Sequence, residues 1–161
     1  MAKTYEPVAT YTVPSAASSY TFSSIPSTYT DLILVVDGSL SGGSVIKIQL
    51  NGDTATNYSY TYFYGSGSTT GSGRVSSEAF GTIGYSSTSA ERFTAIAHFM
   101  NYSNTTTYKT IIDRDNSTST QTVATVNLWR STAAINSIKV FPNTTNLTAG
   151  TTLTLYGNKA A

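Results

Sequence analysis

Large side chains recur along this chain at every second position. Leu32, Leu34 and Val36 fall on one side of an extended segment, with Ile33, Val35 and Asp37 on the other. Ile46, Ile48 and Leu50 share a face opposite Lys47 and Gln49. Tyr58, Tyr60, Tyr62 and Tyr64 face one way, with Ser59, Thr61 and Phe63 opposite. Phe93, Ala95, Ala97 and Phe99 form a further row, backed by Ile96, His98 and Met100. A period of two belongs to strands, because successive side chains point to opposite faces of a sheet. No stretch is amphipathic beyond one or two helical turns.

The pattern predicts further strands over Val75–Gly84, Tyr108–Asp113, Thr122–Trp129, Ile135–Phe141 and Thr151–Tyr156. The segment Arg92–Tyr102 is apolar on both sides, which predicts a central strand covered on both faces. Asn51-Gly52-Asp53, Ser103-Asn104-Thr105, residues 115–119 and residues 142–146 read as turns or loops. The run Gly65 to Gly73, all Gly, Ser and Thr, offers nothing to bury and reads as a flexible loop. About eight to ten short strands with no helices suggest an all-β sandwich, barrel or jelly roll. Residues 1–20, which carry Pro7 and Pro14, are less regular and read as an N-terminal arm. Residues 21–161 read as one domain.

Composition narrows the function classes. Ser and Thr make up 52 of the 161 residues, and charged residues only 11%, against roughly 25% in an average domain. Disorder needs high net charge as well as few large apolar groups. Here the net charge is +1, and 12 Tyr add buriable area. The same near-neutral charge gives no electrostatic footprint for nucleic acid. The absence of Cys excludes disulfides and thiolate chemistry. No apolar run approaches the roughly 18 residues of a membrane span, and the first residues lack the apolar stretch of a signal peptide. The chain is therefore expected to be made in a cytoplasm. Low charge also points weakly to a surface meant to be covered by partners.

Catalytic groups are sparse. The one histidine, His98, lies within the strongest strand and reads as a core or interface residue with one satisfied nitrogen. No Gly-x-Ser-x-Gly elbow occurs. The carboxylates Glu6, Asp31, Asp37, Asp53, Glu78, Glu91, Asp113 and Asp115 fall mostly at expected strand ends or turns. Asp113-Arg114-Asp115-Asn116 resembles half of a calcium loop but lacks its Gly and closing Glu. Six Asn-x-Ser/Thr sequons, beginning at Asn57, Asn101, Asn104, Asn116, Asn143 and Asn146, read as ordinary turn residues. No enzyme activity, metal or cofactor is expected.

The tyrosine row is the most functional-looking feature. A phenol ring offers a flat apolar face and one hydroxyl, which suits interfaces and sugar stacking. Packing within the domain, a subunit interface and a glycan contact are the three readings, in that order. The candidate interface residues are Tyr58, Tyr60, Tyr62 and Tyr64, with Arg74 and Arg92 as possible flanking groups.

Several short segments occur in a suggestive order. They are Phe22-Ser23-Ser24-Ile25-Pro26, Thr30-Asp31-Leu32, Asn51-Gly52-Asp53 with Tyr58-Ser59-Tyr60, and Asn101 to Thr110. Asn127 to Ile138 and Ala149 to Gly157 follow. In this order, over about residues 20–157, the chain resembles a group of small all-β virion proteins of tailed bacteriophages, including phages of cyanobacteria. The resemblance implies a jelly-roll-like antiparallel β-sandwich of about eight to ten strands. It implies a capsid decoration (cement) protein that binds the outside of the head and stabilises it, or a tail or fibre module. No catalytic residue is carried over. The expected partners are further copies of the chain, as a homotrimer, and the major capsid protein, with no nucleic acid and no membrane. The protein is expected on the capsid exterior after synthesis in the host bacterial cytoplasm. The alternative is a tail-fibre or receptor-binding module that contacts host glycans.

Overall fold

The structure, a computed structural model, describes residues 5–86, 88–89, 91–118 and 121–159. The first four residues of the expected arm and residue 119 of the expected loop lie outside the described residues. Twelve strands are seen among the described residues. They are β1 (Tyr5–Thr12), β2 (Tyr20–Phe22), β3 (Asp31–Ser39), β4 (Ser44–Leu50), β5 (Tyr58–Gly65) and β6 (Thr70–Glu78). Then come β7 (Gly81–Ser86), β8 (Arg92–Phe99), β9 (Lys109–Ser117), β10 (Gln121–Trp129), β11 (Ile138–Pro142) and β12 (Thr152–Asn158). No helix occurs among them.

The strands form a jelly-roll-like antiparallel β-sandwich with sheets of unequal width. The large sheet runs β1-β12-β3-β8-β9-β10-β5-β6, and the small one β2-β11-β4-β7. Alternation builds the core between them. Leu32, Leu34, Val36, Phe93, Phe99, Leu153 and Leu155 point inward from the large sheet, and Ile46, Ile48, Leu50, Ile138 and Val140 from the small one. Each such side chain contributes about 1.5–3 kcal/mol by leaving water. Trp129 and Tyr58 stack with ring centroids 6.2 Å apart. The Trp129 indole donates from Nε1 to Asp53 Oδ2 at 2.7 Å.

Five expectations from the sequence differ from the structure. The segment read as an outer arm contains β1, which pairs with β12 as an edge of the large sheet. Its register shifts between Pro7 and Ala9, so proline's missing N–H falls at a bulge on an edge strand, where it is tolerated. The run read as a loop over residues 65–73 is a hairpin. Ser66 N donates to Thr69 O at 2.9 Å, and β6 starts at Thr70. The strand expected over residues 75–84 is therefore the end of β6 and most of β7. The loop expected over residues 115–119 is largely strand, because β9 continues to Ser117 against β10. Finally, β8 is central but covered on one side only: Phe93, Ala95, Ala97 and Phe99 are buried, whereas Met100 just beyond it is 43% exposed.

Candidate functional site

The mismatch in sheet width creates the site. β7 is the outer strand of the small sheet, and it packs over β8, β9 and β10. Beyond it, the inner face of β5 and β6 lacks a full cover. A cleft of about 360 Å³ opens there. Tyr60, Tyr62, Tyr64 and Val75 form one wall, and Val45, Thr82, Gly84 and Tyr85 the other. Asp115, Gln121, Val123 and Thr125 line the floor.

Glycines seat two of the rings. Tyr62 pairs across strands with Gly73, and Tyr64 with Gly71. A Cβ placed on Gly73 would lie 2.6 Å from the Tyr62 hydroxyl oxygen, and one on Gly71 would lie 2.6 Å from Tyr64 Cε1. Each ring thus lies across bare β6 backbone, a place only glycine leaves open. The rings of Tyr60 and Tyr62 sit 6.3 Å apart, tilted by 39°. Burial pushes the Tyr60 phenol up.

Polar side chains in the floor and beside it serve the backbone of β7. One side of that strand pairs with β4. On its free side, Asn127 Oδ1 accepts from Thr82 N at 2.8 Å, and Asn127 Nδ2 donates to Thr82 O at 2.9 Å. Asp115 Oδ2 accepts from Tyr85 N at 3.1 Å. A buried unpaired backbone group is costly, which explains polar residues at inward positions. Burial pushes the Asp115 carboxyl up to about 7, against the opposing effect of the Tyr85 N–H. Asp113 points the same way one step along β9. It is 1% exposed, and neither carboxyl oxygen has a hydrogen-bond partner. Burial first, and the Asp115 charge second, push it well above the usual carboxylate range.

The candidate residues from the sequence separate. Tyr60, Tyr62 and Tyr64 meet in the cleft, but Tyr58 does not join them. It is fully buried, and its hydroxyl accepts from Leu50 N at 2.9 Å, so its place on the candidate interface is withdrawn. Arg74 and Arg92 do not flank the tyrosines either. Arg74 pairs with Thr61 on the opposite face of the hairpin. Arg92 lies on the same outer face at β8, 2.5 Å from Asp37 Oδ2. The alternation that gathers the tyrosines inward sends both arginines outward. His98 also faces outward, with Nε2 3.3 Å from Asp31 Oδ2. The half-calcium motif at residues 113–116 lies in β9, so its acids and Arg114 point to opposite faces and form no loop.

Sequence reasoning missed Asp115, Thr125, Gln121 and Asn127. A signal was present: in Ile111-Ile112-Asp113-Arg114-Asp115 the acids continue the inward phase of Ile111. In Val123-Ala124-Thr125-Val126-Asn127-Leu128-Trp129 the polar residues continue the phase of Val123 and Trp129.

No protein-family model matches the chain, and no curated protein does. Among solved structures it is similar to a Caenorhabditis elegans galectin, LEC-6, with 10% identity, a TM-score of 0.38, and coverage of 94% of this chain and 96% of that one. It is similar to domains LG4-5 of the mouse laminin alpha1 chain, with 12% identity, a TM-score of 0.33, and 91% and 40% covered. Similarity to exo-inulinase from Aspergillus awamori has 12% identity and a TM-score of 0.37, with 96% and 29% covered. Likenesses at these scores carry no argument about ligand or activity.

Proposed function

We propose that this chain is a structural component of a tailed-phage virion, a decoration module that binds the outside of the head as a homo-oligomer, most simply a trimer. The observation that carries the reading is the surface. Phe63 is 65% exposed, Tyr5 56% and Tyr108 55%, on a chain with only 11% charged residues. Such a surface favours burial against partners. The ordered resemblance over residues 20–157 supplies the virion context. The carboxyl geometry argues against a hydrolase. Asp113 and Asp115 are near neighbours on one strand face, but Asp115 is held by the Tyr85 amide and Asp113 does not line the cleft. A glycosidase needs both carboxyl groups on the substrate.

Cryo-electron microscopy of the intact virion tests the reading. Sandwich-sized density on the head exterior is the expected result, and absence of the chain from the particle overturns it. A second reading, glycan recognition by a tail-borne module, is favoured by one observation: three tyrosines and the polar groups of Asp115, Gln121 and Thr125 share one cleft. Aromatic faces beside a few placed polar groups suit a sugar. Density confined to the tail, with glycan-array binding that Tyr62→Ala abolishes, would favour it over the first.

A further inference from the structure

We infer that the outer face of β9, β10, β5 and β6 docks a protein surface that presents apolar side chains together with carboxylates. The inference rests on the virion reading, which makes that partner a protein of the head shell.

Register places the relevant residues in two adjacent rows. One runs Arg114, Ala124, Phe63, Ser72, and the next Ile112, Val126, Thr61, Arg74. Phe63, Ile112 and Val126 are exposed at 65%, 45% and 48%. Leu128 extends the apolar area, and beyond it Arg130 donates to Ser59 Oγ at 2.9 Å. Three guanidinium groups thus frame a cluster of apolar side chains.

Among the described residues these charges have no ion-pair partner. The outward positions of these four strands carry no Asp or Glu, and the two acids of β9 point into the sandwich. Elsewhere on the same sheet the pattern differs. Over β3 and β8, Arg92 has Asp37 and His98 has Asp31. Among the described residues no ion pair reaches Arg74, Arg114 or Arg130. One half of the face therefore holds carboxylates of its own, and the other would receive them from a partner. A second copy docked face to face would oppose arginine with arginine, which costs affinity. Arginine beside exposed aliphatic and aromatic groups is the composition of protein interface centres, and its planar fork suits carboxylates. Four strands about 4.8 Å apart and about 30 Å long give a face of roughly 600 Å², below the about 800 Å² per partner of a standard interface, which suits a contact repeated many times over a shell.

Co-sedimentation of the purified chain with phage heads assembled without it tests the inference. Wild type is expected to bind, and more weakly as salt rises. Arg114→Glu and Phe63→Ser should each weaken binding by about tenfold or more, with unfolding temperatures near that of wild type. Lys139→Glu, on the small sheet with its ammonium over the Phe141 ring, supplies the charge-change control and should bind as wild type does. If the folded Arg114→Glu and Phe63→Ser chains bind heads undiminished, or Lys139→Glu fails equally, this face is not the docking surface although the virion reading stands. Failure of wild type to bind heads overturns both, and binding to polygalacturonate in that case makes the partner an acidic polysaccharide rather than a protein.

Discussion

Asp115 stands between a backbone amide and the cleft, and its carboxyl is pushed up to about 7 from an ordinary 3.8. Between those values the folded chain holds a proton that the unfolded chain releases. Stability is therefore fully present below about pH 4 and is lost as pH rises through about 7. The difference corresponds to about 4 kcal/mol from this group. Asp113, raised well above the usual carboxylate range by burial and by the Asp115 charge, adds to the trend with the same sign. Urea unfolding at pH 5 and pH 8 should show the protein several kcal/mol more stable at pH 5. Asp115→Asn should reduce that dependence to the part Asp113 carries, because an amide keeps the Tyr85 contact without a charge. Stability that rises from pH 5 to pH 8 would contradict this. Asn127 makes a second residue-scale case. Asn127→Leu removes both partners of the Thr82 backbone and should cost about 2–4 kcal/mol in thermal or urea unfolding.

At the scale of strands and turns, the tyrosine hairpin depends on β6 glycines that carry no hydrophobic signal. Gly73→Val should drive Tyr62 off its seat and destabilise the protein by about 1–3 kcal/mol. In a crystal structure of the variant the Tyr62 ring should have turned into the cleft; an unmoved ring would contradict the account. β3, β4, β5, β8, β10 and β12 were legible because large side chains mark their inward positions. β6 was not, because Thr70-Gly71-Ser72-Gly73 has no such side chain and becomes a strand only when β5 supplies hydrogen bonds and rings to cover it. β1 was obscured by Pro7, whose position at a bulge depends on β12, far along the chain. Turn chemistry was more local and easier to read. Asn104, one of the sequon residues, accepts from Thr106 N and Thr107 N through Oδ1.

For the whole molecule, the decisive feature is eight strands facing four. That inequality leaves the tyrosine cleft open on the inside and a broad, weakly charged face on the outside. Neither was legible beforehand, since strand order is set by long-range pairing. The tyrosine row is visible in the sequence, but its inward aim is not, and Arg74 and Arg92, offered only as possible flanking groups, do not border it. The low charge acquires a location: on β9, β10, β5 and β6 the outward residues include Phe63, Ile112 and Val126 and no acid. Many identical contacts of this kind on a symmetric shell would add affinity through multivalency. The most direct test of the central claim is the copy number of this chain in purified virions, by quantitative mass spectrometry against the major capsid protein. The account predicts hundreds of copies per particle, in fixed ratio to that protein; a handful per particle, or none, would contradict it.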